Sequence, residues 1–189
     1  MRNTDYKKLD NMFIERWSPR AFLSEPIAGE DIKTIFEAAR WSMSCFNEQP
    51  WRFVYAQQPD DLVKFRAVLT ESNQAWANKA PLLVFAFSKK TFTRNDKPNR
   101  YADFDTGAAW MALTLQANKL GFHTHGMGGY DPAKAFAVTG MNPDEYNVIC
   151  AIAIGRIGDA NDLSEELKNR EVISLRKNMD EIVFEGTNG

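Results

Sequence analysis

SMSCFNEQPWRF, residues 42–53, carries the reading of this chain. It begins as a run of small hydroxyl, thiol and amide side chains and turns at Pro50 into an aromatic strand, Trp51-Arg52-Phe53-Val54-Tyr55. Just upstream, Ile32, Ile35, Phe36 and Ala39 follow the spacing of one helical face, so the polar run is a helix-to-strand connection. Ser44, Asn47 and Gln49 donate and accept hydrogen bonds without carrying charge, an inventory that suits a flat, heteroatom-rich ligand. A second cluster, Arg16-Trp17-Ser18-Pro19-Arg20, lies about thirty residues earlier. In an extended segment, alternation puts Arg16, Ser18 and Arg20 on one face. Two guanidinium forks and a hydroxyl match phosphate oxygens. Together the two clusters point to a nucleotide-like cofactor.

Working outward, residues 4–15 read as a short helix and 30–41 as a better one. A strand is expected near 51–56, a helix over 59–70 and a buried strand over 81–87. Residues 91–101 form a polar loop. The longest helix is expected over 103–120, apolar almost all round at 108–115 and therefore buried on most faces, with Gly121 as its left-handed stop. A short strand over 122–127 follows. Asp131-Pro132 is an N-cap followed by proline at the first helical position, opening a helix to about 138, and Val148–Ile154 is another buried strand. The tail, 170–189, has Ile182-Val183-Phe184 to bury, as an edge strand or as an arm on a partner subunit. Irregular interleaving of four to five strands with helices favours an α+β fold with a mixed sheet over a doubly wound parallel one.

The 189 residues form one domain without repeats or linkers; hydrophobic residues are 44% and charged residues 25%, ordinary for a globular protein. A net charge of −2 gives no broad attraction to nucleic acid or anionic membrane. With two cysteines, Cys45 and Cys150, and no CxxC pair, a disulfide framework or structural zinc site is not expected. The polar N-terminus and the lack of a roughly 20-residue apolar run point to a cytoplasmic protein. His123-x-His125 lacks further ligands at metal-site spacing. Cys45 has no evident base partner, and neither a GxSxG elbow nor a GxxxxGK[ST] loop is present. His125-Gly-Met-Gly-Gly-Tyr-Asp131 lacks dinucleotide-fingerprint spacing, but its glycines let backbone approach a ligand closely.

In this order and spacing the clusters resemble the FMN-dependent nitroreductase family. The resemblance runs through Arg16–Phe22, Ser42–Phe53, Asp105-Thr-Gly-Ala-Ala109, Gly121–Pro132, the strand ending in Gly155, and Arg176 with Glu181-Ile-Val183. It implies a dimer with FMN at the subunit interface. Arg16, Trp17, Ser18 and Arg20 would bind the ribityl phosphate and pyrimidine edge, and Arg176 would reach the phosphate from the tail, with Ser174 where relatives often carry a second basic residue. Asn73 would contact the isoalloxazine ring. Ser44, Cys45 and Asn47 would come from the other subunit; here Met43-Ser44-Cys45 replaces the common Pro-Ser-Ser. Gly126, Met127, Gly128 and Gly129 would line one flavin face, with the Gly128 N–H near N5, and Gly126 stands where relatives often have proline. The implied activity is ping-pong hydride transfer from NAD(P)H through N5 to a nitroaromatic, quinone or similar small acceptor. A flavin store or sensor, or a reductase of an enal, carbonyl or halogenated aromatic, is the alternative. Residues 91–104 are short for a lid, so an open pocket is expected.

Overall fold

The computed structural model describes residue 4 and residues 6–187. Four strands, β1 (Trp51–Ala56), β2 (Leu82–Lys89), β3 (His123–Met127) and β4 (Tyr146–Gly155), form one sheet in the order β1-β2-β4-β3. All three pairings are antiparallel. The α+β architecture is as expected, but the pairing is antiparallel where a mixed sheet was anticipated. The connections explain this. Between β1 and β2 the chain makes two short helices, α3 (Pro59–Arg66) and α4 (Glu71–Ala77). They carry it out and back, so Leu83 near the start of β2 pairs with Ala56 at the end of β1.

Central strand β2 is buried from Leu82 to Ser88 because both sheet faces are covered. On one face, α3, α4 and α6 (Pro132–Thr139) pack Phe65, Trp76 and Ala135 against Leu83, Phe85 and Phe87. On the other, α2 (Gly29–Arg40) and α5 (Ala102–Lys119) pack Ile32, Ile35, Ala109 and Leu113 against Leu82, Val84 and Ile152. The sheet alternation thus sorts successive β2 residues into two cores.

Local chemistry set several boundaries. α5 ends at Lys119, and Gly121 follows at φ +80°, a conformation costly for a residue with a Cβ. Asp131 caps α6 by accepting from the Lys134 N–H, with Pro132 at the first position. Elsewhere the expectations need correction. The helix expected over 4–15 is only α1 (Met12–Glu15), preceded by a turn; residue 5 lies outside the described residues. Asp10 accepts from the Met12 N–H at 2.9 Å, a local bond that competes with a continuous helix. The helix expected to reach 70 stops at Arg66, where Val68 and Leu69 turn so that Leu69 can bridge to Tyr130. α5 is not buried on most faces: Ala102, Thr106, Ala109, Leu113 and Ala117 form a buried stripe, whereas Phe104 is 75% exposed and Met111 41%. The described tail, 170–187, forms no strand; it carries one short turn, Met179–Glu181, and exposes Val172, Leu175 and Val183. Residues 188 and 189 lie outside the description.

Candidate functional site

Arg16 leaves α1 in extended backbone, and residues 17–19 continue without regular secondary structure. Arg16, Trp17, Ser18 and Arg20 consequently line one cleft of about 530 Å³. The cleft is also lined by Asn169, the last residue of α7 (Glu165–Asn169), by Arg170, Val172, Ser174 and Arg176 beyond it, and by His125 of β3. Arg16 Nη1 donates to Ser18 Oγ at 3.3 Å, and Arg176 Nη1 to Ser174 Oγ at 3.2 Å. The Arg20 guanidinium donates to the Arg170 carbonyl at 3.2 Å and lies 3.8 Å from the Glu171 carboxylate. Burial, then the Arg170 charge, pull the Arg20 pKa below its usual range, and Glu171 opposes them. Among the described residues, four arginines thus line one cleft with the buried Glu171 carboxylate beside them, chemistry that suits an anion.

His125 borders this cleft and a second cavity of about 210 Å³ that Arg20, Arg170, Asn73 and Trp76 also line. Its Nδ1 lies 2.8 Å from the Pro19 carbonyl. A carbonyl only accepts, so Nδ1 carries the proton and a neutral ring presents Nε2 as an acceptor. Burial lowers the His125 pKa, helped by the Arg20 charge and opposed by the bond to the Pro19 carbonyl, and the net lowering favours that neutral form. Its ring packs on Trp76 at 4.4 Å.

Asn73 is tied to the glycine run. Its Nδ2 donates to the Gly129 carbonyl at 2.9 Å, and the Thr70 N–H and hydroxyl donate to the same oxygen. A Cβ on Gly129 would lie 2.6 Å from Asn73 Nδ2 and 2.7 Å from Thr70 Oγ1, so a side chain there would push aside the groups that hold its carbonyl. Gly126 is required for another reason: its missing Cβ leaves room for the Trp110 indole of α5, 2.4 Å from where that atom would lie. Trp110 fills the space that a side chain at 126 would take. Gly128 differs: it is exposed, one residue past the β3 ladder, with nothing within 4 Å of a Cβ. Backbone there is open to an incoming ligand.

The loop over residues 42–50 contributes no wall to the arginine cleft. Ser44 Oγ accepts from the Gln49 N–H at 2.9 Å, and the Cys45 N–H donates to Asp105 of α5 at 3.0 Å. Phe46, Asn47 and Gln49 all have φ between +51° and +56°, a sparsely populated region for such residues. The turn 91–98 packs against this loop rather than over the cleft: Glu48 accepts from Thr93, and Arg94 stacks 3.8 Å from the Phe46 ring. Within one chain, then, Arg16, Trp17, Ser18, Arg20 and Arg176 come together, Asn73 and Gly126–Gly129 adjoin them, and Ser44, Cys45 and Asn47 do not.

Four contributors escaped the sequence reading: Asn169, Arg170, Glu171 and His125, the last weighed only as a metal ligand. The one available signal was the charged run Lys168-Asn169-Arg170-Glu171 ahead of Arg176, and it has no motif spacing.

Comparison with known proteins identifies the family. The nitroreductase family model matches residues 14–75 and 57–156. A solved structure described as an oxidoreductase containing FMN is 40% identical, with a TM-score of 0.93, covering 98% of this chain and 95% of its own. An FMN complex provisionally described as a nitroreductase, from Exiguobacterium sibiricum 255-15, shares the fold at 20% identity, with a TM-score of 0.76 over 97% of this chain and 98% of its own. A protein of Xanthomonas oryzae pv. oryzae (strain PXO99A), provisionally named NADH dehydrogenase/NAD(P)H nitroreductase, is 27% identical over 147 residues, 68% of this chain and 75% of its own length. Fold and relatives define the class, an oxidoreductase of α+β architecture. The chain belongs to the nitroreductase family.

Proposed function

We propose that this chain is an FMN-dependent NAD(P)H oxidoreductase that reduces a nitroaromatic, quinone or similar small acceptor. One observation carries the reading: Arg16, Ser18 and Arg20 from one end of the chain, and Arg176 from the other, meet on a single cleft. Guanidinium forks beside a hydroxyl suit the doubly charged FMN phosphate. The open backbone at Gly128 suits a flat ring, so the residues present fit this cofactor. The relative of 40% identity described as containing FMN supports the same choice.

The chemistry supplied when FMN is bound is two-electron exchange between a reduced nicotinamide and the acceptor. The chain's own residues bind and orient. Arg16, Ser18 and Arg176 would hold the phosphate, with Trp17 walling the cleft. Arg20 would face the pyrimidine edge. Asn73 holds the Gly129 carbonyl with its amide nitrogen, leaving its oxygen for the ring. Gly126, Met127, Gly128 and Gly129 would line one ring face, the Gly128 N–H serving as a donor. Nicotinamide and acceptor would take turns at the remaining open face. Loop 91–98 is engaged with residues 46 and 48, which supports an open face not covered by that loop of its own chain.

Ser44, Cys45 and Asn47 would complete the site from a second copy. Exposed Trp41 (75%), Met43 (82%) and Phe104 (75%) support a homodimer, since apolar surface of this kind is usually buried against a partner. The whole chain would then act as one domain; of the arm expected over 170–189, residues 170–176 stay on their own chain's cleft, and the exposed segment beyond them, with Ile182, Val183 and Phe184, would pack on the partner.

The deciding experiment is anaerobic stopped-flow reduction of the purified flavoprotein with NADH and NADPH, followed by an acceptor panel. Flavin bleaching by at least one nucleotide and reoxidation by a nitroaromatic or quinone are expected. A flavin that neither nucleotide bleaches would overturn turnover in favour of storage or sensing. Reoxidation only by an enal, carbonyl or halogenated aromatic would place the protein on a different branch.

A further inference from the structure

The Glu171 side chain is only 4% exposed, yet it carries a carboxylate. It accepts from the Arg20 N–H at 2.7 and 3.0 Å and from the Ala21 N–H at 2.9 Å, while the Arg20 guanidinium lies 3.8 Å away. Charge-assisted bonds from backbone donors to a buried carboxylate are strong and directional. They join segments about 150 positions apart in sequence. On one side is the extended stretch carrying Arg16, Ser18 and Arg20; on the other is the start of the tail carrying Arg176. No strand pairs these two segments, and the tail's own apolar residues, Val172 and Leu175, are exposed. Core packing therefore does little to hold the tail here.

We infer that Glu171 is a positioning residue for the anion cleft: it clamps the tail to the Arg20-Ala21 backbone so that Arg176 meets the same phosphate as Arg16 and Ser18. The inference rests on the proposed FMN reading for its functional consequence, not for the clamp itself. Glu171 also places negative charge beside a receptor for an anion. Electrostatics alone would make its neutralisation tighten phosphate binding. Positioning requires the opposite sign, so the two roles separate cleanly.

The test uses full-length Glu171→Gln and Glu171→Asp, the second keeping the charge but shortening its reach. Hydrogen exchange in flavin-free protein reads the clamp directly. Faster exchange at Arg20 and Ala21, the two amides that donate to Glu171, about tenfold or more in Glu171→Gln, with β2 and β4 amides unchanged, is expected. Unchanged exchange at those positions in both variants would refute the clamp. If Glu171→Gln also loses β2 and β4 protection, Glu171→Asp decides by the same criterion. FMN titration, followed by flavin fluorescence, reads the consequence. Glu171→Gln should raise the FMN Kd about tenfold or more, and adding Arg176→Ala should then change it by less than about twofold, although Arg176→Ala alone weakens binding clearly. Tighter FMN binding in Glu171→Gln, or full additivity of the two substitutions, overturns the positioning role. Wild-type protein that binds no FMN would sink the proposed function and leave the exchange result to decide the clamp.

Discussion

Arg16 sits where two cavities meet, since the arginine cleft and a pocket of about 350 Å³ beneath Trp110 both have it and Ser18 in their walls. A charge-assisted bond from such a residue to phosphate contributes roughly 1.5–3 kcal/mol. Arg16→Ala is therefore expected to weaken FMN retention by about one to two orders of magnitude, measured by flavin release on dilution; full occupancy would remove the phosphate assignment. The sequence placed Gly126 on one flavin face, where relatives often have proline, but not against Trp110. That its missing Cβ makes room for Trp110, at 2.4 Å, depends on how α5 crosses β3. Gly126→Ala should cost about 1–3 kcal/mol through overpacking, read as a fall in Tm. Adding Trp110→Phe, which removes the indole atoms nearest that Cβ, should restore most of it. The single substitution without loss of Tm would show that Trp110 moves aside freely.

At the scale of elements, strands and helices were readable wherever pattern and punctuation agreed. β2 announced itself as an apolar run, α6 by Asp131-Pro132, and the end of α5 by Gly121. The misreadings fall where local bonds or tertiary bridges won: Asp10 against a long first helix, and the Leu69–Tyr130 bridge against a longer α3. The packing of α5 on β3 includes one buried polar pair, the Thr114 and Thr124 hydroxyls at 2.9 Å, both residues 5% exposed or less. Removing one hydroxyl strands the other, at a cost of about 1–3 kcal/mol, whereas removing both is nearly neutral. Thr124→Val should thus destabilise in urea unfolding, and Thr114→Val with Thr124→Val should recover most of the loss. A double variant no better than the single would deny that the pair is coupled.

For the whole molecule, exposed apolar surface is the feature that calls for a partner. Trp41, Met43 and Phe46 lie in the loop after α2 and Phe104 on α5, and each is at least 70% exposed. Sedimentation velocity is expected to show a dimer, and Phe104→Glu should shift it toward monomer with weaker FMN binding, because the loop residues Ser44, Cys45 and Asn47 would no longer reach the neighbouring cofactor. A monomer that keeps wild-type flavin affinity would refute the shared site. Among the described residues no helix is long and apolar enough to cross a membrane. The alternation of Arg16, Ser18 and Arg20, the polar helix-to-strand loop, the glycine run and the main elements were all determined by sequence alone, because each depends on residues within a few positions of one another. Only the tertiary structure decided the antiparallel strand order, the place of Trp110 under Gly126, and the meeting of Arg20 with Arg170 and Glu171. Those depend on the order in which the chain packs its layers, and local patterning does not encode contacts between residues some 150 positions apart.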